Sequence, residues 1–285
     1  MMLDLKNIKK SYGENNVLTD ISVSINNGIH GLLGANGTGK TTLFSIISGF
    51  LKEDGGTITY PTCTSKEDVL IGVLPQNFVG YPEMSVEEFL EYLSQIKGDW
   101  TKKKIRAEIA EKTQTFNLIN VKKKKLKQLS GGQLRRVGLV QAFLFNPKIV
   151  LLDEPTVGLD PKERLHLKNY LASLKENHII LLSTHIVSDL EKLADKIYIL
   201  KDGKIVEQGS EEKLLAKLDH KVWEIDYENY TRGSKGILVK EYNKNGQVFL
   251  RLICEEKPSS QASPVKAELE DLYISYFQGG SSYEL

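Results

Sequence analysis

Residues 29–47 read IHGLLGANGTGKTTLFSII, and this stretch decides the fold. Within it, residues 34–41 (GANGTGKT) match the phosphate-binding pattern G-x-x-x-x-G-K-[S/T]. In that pattern, backbone N–H groups surround the phosphates, Lys40 adds a positive charge, and the Thr41 hydroxyl can bind Mg²⁺. The apolar residues before the loop predict a buried strand, and those from Lys40 onward predict a helix whose positive end faces the phosphates.

Two stretches further along the chain also carry recognisable motifs. Residues 129–133 read LSGGQ, a string that is very rare by composition. Residues 149–153 (IVLLD) predict a buried strand that ends in the carboxylate of Asp153, and Glu154 follows directly.

In this order, the motifs resemble those of the ATP-binding cassette (ABC) ATPases, over roughly residues 3–215. The resemblance implies an α/β fold: a P-loop NTPase (RecA-like) core with an antiparallel β edge and a helical subdomain at about 78–145. It also implies hydrolysis of ATP with the help of Mg²⁺. In this family LSGGQ closes on the γ-phosphate bound by a partner, so a second ATP-binding subunit is expected, either an identical copy or a related chain.

The resemblance assigns ATP contacts to residues from several motifs. Tyr12 is expected to stack on adenine, although an isolated tyrosine near an N-terminus can simply pack on the surface. Asp160, in VGLDP, is expected to cross the dimer interface; Val157 and Gly158 before it depart slightly from the commonest family pattern. The residues assigned to ATP are Tyr12, Gly34, Asn36, Gly37, Thr38, Gly39, Lys40, Thr41, Thr42, Ser130, Gly131, Gly132, Gln133 and Asp160.

The resemblance also assigns catalytic roles. Glu154 is the expected base, because a carboxylate next to the Mg²⁺ ligand can orient a water and take its proton. His185, in STH, is expected to contact the γ-phosphate and hold that geometry, and Gln76 is expected to reach Mg²⁺ and the attacking water. The plainer alternatives are a solvated turn for the two adjacent acids, a structural histidine and a solvated loop glutamine. The residues assigned to Mg²⁺ are Thr41, Gln76 and Asp153.

Composition limits the partners and the cellular compartment that can be expected for this protein. The chain has 285 residues, with 38 Lys and Arg against 37 Asp and Glu, so its charge balance gives no reason to expect nucleic acid as a partner. Cys63 and Cys254 lack the spacing of metal ligands, which indicates a reducing compartment. No apolar run approaches the roughly 18 residues of a membrane helix. We therefore expect a peripheral protein at the cytoplasmic face of the cell membrane, held by a separate transmembrane permease subunit.

Local patterns predict the edge of the sheet and the helical subdomain. Alternating apolar residues predict antiparallel strands at 3–6 and 17–25. Ser85 and Glu88 form a capping-box pattern at the start of a helix. Residues 122–125 are four consecutive lysines. They indicate a solvated loop or, alternatively, a contact with anionic headgroups or with an acidic loop of a partner.

Residues 1–218 are predicted to form the ATP-binding cassette domain and residues 219–285 a small α+β C-terminal accessory domain. The C-terminal part is predicted to contain three strands and a helix that begins near Pro264. It resembles the extension of cassette ATPases that serve type-2 permease exporters. The predicted strands are 222–227, 236–242 and 248–254, with turns at 232–234 and 244–246.

The function implied by the resemblance is that of the ATP-hydrolysing subunit of a transporter, most similar to exporters of a drug, an antimicrobial peptide or a lipid-like molecule. One alternative is a soluble cassette ATPase acting in translation or DNA repair. Such proteins usually carry two cassettes or a long insertion, whereas this chain has one set of motifs and a short stretch between Gln76 and Ser130. The ATPase of an importer is the other alternative.

Overall fold

A computed structural model describes residues 1–62, 70–230 and 236–277. These residues form a mixed α/β structure with two separate sheets. The strands are β1 (Met2–Tyr12), β2 (Asn15–Asn26), β3 (Gly28–Leu33), β4 (Gly55–Thr59), β5 (Ile71–Leu74), β6 (Ile149–Asp153), β7 (Ile179–Thr184), β8 (Lys196–Lys201), β9 (Lys204–Gly209), β10 (Val222–Asp226), β11 (Ile237–Lys244), β12 (Gln247–Ile253) and β13 (Ser263–Pro264). The α-helices are α1 (Lys40–Ile47), α2 (Val86–Lys97), α3 (Lys102–Thr115), α4 (Gly131–Phe143), α5 (Pro161–Leu174), α6 (Glu211–Leu215) and α7 (Leu269–Phe277).

The larger sheet has nine strands in the order β4-β1-β2-β9-β8-β3-β7-β6-β5. Its antiparallel edge is confirmed, since β1 pairs antiparallel with both β2 and β4. Strand β1 is longer than the alternating pattern at 3–6 predicts. The pairing register shifts between Leu5 and Ile8, and Asn7 between them has a φ of 51°. This bulge interrupts the apolar alternation, so the second half of the strand cannot be predicted from the alternating pattern.

The centre of the sheet is parallel and buried on both faces. Strand β3 pairs with β7 and β8, and β6 pairs with β5 and β7. Every residue of β3, β6 and β7 is buried. Alternate residues of β6 enter two different apolar clusters: Val150 and Leu152 join one, and Ile149 and Leu151 join the other. This packing explains the unbroken apolar runs and brings the carboxyl ends of three strands to one edge.

The helical subdomain begins as the sequence predicts. The Glu88 carboxylate accepts a hydrogen bond from the Ser85 backbone N–H at 2.7 Å, and the Ser85 hydroxyl accepts one from the Glu88 N–H at 3.2 Å. Helix α4 starts with the same device, built from Ser130 and Gln133 of LSGGQ. Such reciprocal caps satisfy backbone donors at the start of a helix and fix its first residue.

The smaller sheet has the order β11-β12-β10-β13 and contains the three strands predicted for the C-terminal part. The turn at 244–246 is confirmed, with Asn245 and Gly246 at positive φ; residues 232–234 lie outside the described ranges. The prediction of a helix from Pro264 is wrong. Pro264 pairs with Trp223 of β10, and α7 begins at Leu269. Proline has no N–H to donate, so it is tolerated in an edge strand such as β13. Here Pro264 forms part of that strand and does not start a helix.

Helix α7 is fixed to the C-terminal sheet by a buried ion pair. The carboxylate of Asp271, which is fully buried, accepts hydrogen bonds from Nε and a terminal nitrogen of Arg251, each at 2.7 Å. The helix also packs against the 3₁₀ turn Val187–Asp189, which follows β7 of the larger sheet. A domain boundary at residues 218 and 219 stays a prediction. Within the described ranges, no helix is long and apolar enough to span a bilayer.

Candidate active site

The phosphate loop connects β3 to α1 and depends on glycine at two positions. Gly39, just before α1, has a φ of 102°, and a Cβ there would lie 2.8 Å from a methyl carbon of Leu18. A Cβ on Gly34 would lie 2.6 Å from the Thr38 hydroxyl and 2.8 Å from the carbonyl oxygen of Leu200. The loop can therefore curl tightly only with glycine at these points, as phosphate binding by backbone N–H groups requires.

Lys40 lies across this loop. Its Nζ donates hydrogen bonds to the carbonyl oxygens of Gly34 at 2.7 Å and Ala35 at 3.0 Å. Burial lowers the pKa of the Lys40 ammonium, and the charges of Glu154 and Asp153 act in the opposite direction. An ammonium held this way at the start of a helix is placed to neutralise phosphate oxygens.

Two oxygen groups converge opposite Lys40. The Thr41 hydroxyl donates a hydrogen bond to Asp153 Oδ2 at 2.7 Å. Ser183 of β7 donates to the other carboxylate oxygen, a contact that no local sequence pattern predicts. A carboxylate at the end of β6 and a hydroxyl in the first turn of α1 are hard oxygen donors of the kind that Mg²⁺ takes together with phosphate oxygens, so the donor set fits this ion. In the described residues, no group of three or more His, Cys, Asp or Glu side chains is arranged to hold a metal ion.

Glu154 is buried and held on both sides. His185 Nδ1 lies 2.8 Å from Glu154 Oε1, and the Thr184 hydroxyl donates to Oε2 at 3.4 Å. The backbone N–H of Glu154 donates to the Ser183 carbonyl at 3.0 Å. Glu154 has a φ of 52°, which is unusual for a residue other than glycine. Its carboxylate is thus fixed in direction by β7, the neighbouring strand.

Lys40 and the two acids line one cavity of about 320 Å³, whereas, among the described residues, His185 is not part of its lining. Gln76, exposed after β5, lines it together with the phosphate loop and the two acids. Tyr12 is half exposed at the end of β1; its hairpin partner strand β2 contributes Val17 to the wall. The lining consists of Val17, Asn36, Gly37, Gly39, Lys40, Thr41, Thr42, Gln76, Asp153 and Glu154.

The LSGGQ residues lie elsewhere. Ser130 and Gln133 cap α4, and Asp160 caps α5 by accepting from the Glu163 N–H at 2.8 Å. Gly132 approaches the Asp160 loop, since a Cβ on it would lie 2.8 Å from the Gly158 carbonyl oxygen. As far as the described residues show, Ser130, Gly131, Gly132, Gln133 and Asp160 do not line the cavity of their own chain. The structure therefore brings these motifs to each other rather than to Lys40.

One residue at the site was missed by sequence reasoning. Arg135 of α4 is buried and donates to backbone carbonyls beside the cavity. Its burial could have been suspected from its spacing, because Arg135 lies on the same face of α4 as Gly138 and Ala142, which are both buried. A charged side chain on a buried helix face needs partners, and these were not identifiable from the sequence.

Comparisons with known proteins agree with this geometry. Residues 18–157 match the family described as ABC transporter. The linearmycin resistance ATP-binding protein LnrL of Bacillus subtilis (strain 168) is 34% identical over 224 residues, covering 76% of this chain and 72% of the relative. The Nod factor export ATP-binding protein I of Burkholderia orbicola (strain AU 1054) is 33% identical over 220 residues, covering 75% and 72%.

A solved structure extends the comparison to the fold. The dimeric structure of MJ0796, a bacterial ABC transporter cassette, superposes with a TM-score of 0.66 and 27% identity, over 73% of this chain and 98% of that one. The larger sheet with its phosphate loop is thus that of a P-loop NTPase core of the cassette type. The chain belongs to the ABC transporter family, as one of its ATP-binding, ATP-hydrolysing proteins.

Proposed function

We propose that this protein is the ATPase subunit of an exporter, held at the cytoplasmic face of the cell membrane by a separate transmembrane permease subunit. The observation that carries the proposal is the single cavity in which Lys40, Asp153 and Glu154 meet. The names of two relatives, one for linearmycin resistance and one for Nod factor export, support export of a drug, an antimicrobial peptide or a lipid-like molecule.

The chemistry assigned to the cavity is in-line hydrolysis of the γ-phosphate of ATP. The phosphate loop and Lys40 bind the phosphates, and Tyr12 packs on the adenine. Thr41, Asp153 and Gln76 would hold Mg²⁺, which supplies positive charge to the phosphate oxygens. Glu154 orients the attacking water and takes its proton. His185, at 2.8 Å, keeps the Glu154 carboxylate in place and adds a contact to the γ-phosphate.

A second ATP-binding subunit would complete the site. The LSGGQ residues lie outside the cavity of their own chain, so Ser130 and Gly132 are available to a nucleotide bound by another copy. The N-terminus of α4, at the positive end of the helix dipole, suits contact with a γ-phosphate. Asp160 caps the neighbouring helix α5 and would lie in the same contact.

An exposed apolar patch suits the permease. It consists of Val79, Tyr81, Tyr92 and Ile96, with exposures of 64%, 49%, 39% and 63%. The rings of Tyr81 and Tyr92 meet edge to face, with centroids 5.5 Å apart. The patch begins three residues after Gln76, so contact there would reach the cavity through one loop. Contiguous exposed apolar groups of this kind mark protein contacts.

The lysine run at 122–125 has partners within the chain. Lys122 lies 3.6 Å from Glu87, and Lys125 lies 3.1 Å from Glu83. Lys127 also contacts Glu83, at 2.7 Å. These ion pairs support the solvated loop over a contact with anionic headgroups, because they already balance part of the charge.

Co-reconstitution tests the proposal. The chain and its permease are assembled in inside-out vesicles, and ATP is added with a labelled amphipathic antimicrobial peptide. Accumulation of the peptide inside the vesicles supports an exporter. Accumulation only in right-side-out vesicles loaded with ATP would indicate an importer. ATPase activity that is stimulated by ribosomes or DNA, with no permease bound, would favour the soluble alternative.

A further inference from the structure

The guanidinium of Arg135 joins three parts of the active site. One terminal nitrogen donates to the carbonyl oxygens of Pro75 and Gln76, both at 2.9 Å. The other donates to the carbonyl oxygen of Asp153 and, at 2.6 Å, to that of Glu154. The side chain is 7% exposed and comes from α4, the helix that LSGGQ opens. One buried cation thus connects the signature helix with the loop after β5 and the loop after β6.

Arg135 is a shared donor for these four carbonyl groups, and the Glu154 carbonyl also accepts from the Val157 backbone N–H at 3.3 Å. Pro75 and Gln76 follow the end of β5, Asp153 is the last residue of β6, and Glu154 follows it. A buried carbonyl without a donor costs about 1 to 3 kcal/mol. A planar guanidinium offers several donors in a fixed fork and can serve these carbonyls together, whereas a lysine ammonium offers one nitrogen. Burial lowers the pKa of Arg135, and the charges of Asp153 and Glu154 counteract this effect.

The bonds to Arg135 fix a strained peptide. Glu154 has a φ of 52°, a conformation that a non-glycine residue keeps only when its surroundings hold it. On one side its N–H is bound to Ser183 of β7, and on the other its carbonyl is bound to Arg135. The direction of the Glu154 side chain follows from this backbone conformation, so both anchors determine where the carboxylate points.

We propose that Arg135 is a positioning residue for ATP hydrolysis. It holds the backbones of Gln76 and Glu154 at the spacing that in-line attack requires, and it does so from the helix that a second copy would contact. The inference rests on the proposed roles of Gln76 and Glu154. The described hydrogen bonds of the Arg135 guanidinium all go to backbone carbonyls, so the residue acts through these backbones and not on the nucleotide itself.

The test separates positioning from general stabilisation. Arg135→Met removes all of these bonds at similar volume, and Arg135→Lys keeps a charge with one donor nitrogen. Arg136→Met is the control for loss of a guanidinium from the same helix. Arg136 donates to the carbonyls of Phe116 and Asn117, at 3.1 and 3.0 Å, and pairs with Glu163 of α5 at 3.1 Å. These partners do not line the described cavity. Each variant is measured for kcat, KM, ATP affinity by calorimetry and thermal midpoint.

We expect kcat to fall about 10- to 100-fold in Arg135→Met, as displacement of catalytic groups does, with KM and ATP affinity within about twofold of wild type. Arg135→Lys should lie between Arg135→Met and wild type, and Arg136→Met should keep its kcat. Wild-type kcat in Arg135→Met would overturn the proposal. So would a loss of ATP affinity equal to the loss of kcat, or a kcat loss of the same size in Arg136→Met.

Two further measurements keep the test decisive. If Arg135→Met does not fold, Arg135→Lys takes its place: a lower kcat at unchanged ATP affinity supports positioning, and an unchanged kcat refutes it. Glu154→Gln is assayed in parallel. If Glu154→Gln hydrolyses ATP normally, the proposed base is wrong. If Glu154→Gln is inactive while Arg135→Met is fully active, only the role of Arg135 is wrong.

Discussion

His185 Nδ1 lies 2.8 Å from Glu154 Oε1, so the side chain after β7 holds the side chain after β6. The contact crosses between two neighbouring parallel strands, whose registers align Asp153 with Ser183. The other oxygen, Glu154 Oε2, has the Thr184 hydroxyl as its described partner, at the longer distance of 3.4 Å. One carboxylate oxygen is thus firmly held, and the other is the better candidate for contact with a water.

Replacement of this carboxylate should stop turnover without stopping ATP binding. We expect Glu154→Gln to lower kcat by at least about 100-fold, because an amide cannot accept the proton of the attacking water. ATP and Mg²⁺ should then trap a dimer, visible by size-exclusion chromatography. Glu176→Gln, an exposed position, is the control. Hydrolysis near the wild-type rate would remove Glu154 from the role of base.

Loss of the loop lysine should instead abolish binding. Lys40→Ala removes the buried ammonium that faces Asp153 and Glu154, and ATP affinity should fall at least about 100-fold. Isothermal calorimetry measures this change. Lys52→Ala, an exposed lysine that follows the same helix, should bind ATP like wild type. Equal affinity in both variants would contradict the assignment of Lys40 to the phosphates.

Ser130, the serine of LSGGQ, should contribute to the nucleotide site of the partner subunit and not to ATP binding by its own chain. Ser130→Arg should leave ATP binding by the monomer nearly unchanged but prevent ATP-driven dimerisation, because a bulky cation replaces a small hydroxyl. The substitution also removes a helix cap, worth about 1 kcal/mol. Ser85→Arg is therefore the matched control, since Ser85 caps α2 with the same box. Loss of dimerisation in both variants would mean that the cap alone is responsible.

Mixing variants sharpens this result. In a mixed dimer of Ser130→Arg and Lys40→Ala, one composite site carries both changes and the other carries none. Partial ATPase activity should return if the two sites act independently. Full activity of the monomeric Ser130→Arg protein by itself would show that the signature sequence does not act across the dimer.

Stability should depend on pH through Lys97. Burial, opposed by the charge of Glu108, lowers the pKa of Lys97 from 10.5 to about 8 in the folded chain. The unfolded chain therefore binds the proton more strongly, and the contribution of Lys97 to the free energy of unfolding increases between about pH 8 and 10.5. We expect an increase of roughly 1 to 3 kcal/mol over this range.

Urea unfolding at pH 7.5 and pH 9.5 tests this prediction. Lys97→Met should remove the increase, because its side chain does not titrate, whereas Lys103→Met, at an exposed position of α3, should keep it. The Lys97 ammonium donates to the carbonyl oxygen of Gln141 in α4 at 2.6 Å, so the effect would report on the packing of α2 against the signature helix. The same pH dependence in wild type and Lys97→Met would refute it.

The sequence predicts those features that neighbouring residues determine together. The phosphate loop and the cap formed by Ser85 and Glu88 each lie within a few residues, and the structure has both. Pairing between distant segments was not predictable. The residues around Pro264 have the local pattern of a helix start, but in the structure Pro264 pairs with the edge of β10. Likewise, the partners of Arg135 lie 59 and 60 residues before it and 18 and 19 after it, and no local pattern connects them.

The left-handed backbone of Glu154 has a consequence for selection on this sequence. A non-glycine residue in this conformation costs about 1 kcal/mol or more, and glycine would relieve that cost. Glycine, however, carries no carboxylate. A library of variants screened only for heat resistance should therefore enrich glycine at this position, while a screen for ATP turnover should retain glutamate. Stability of the fold therefore favours glycine at position 154, whereas ATP hydrolysis requires glutamate at the same position.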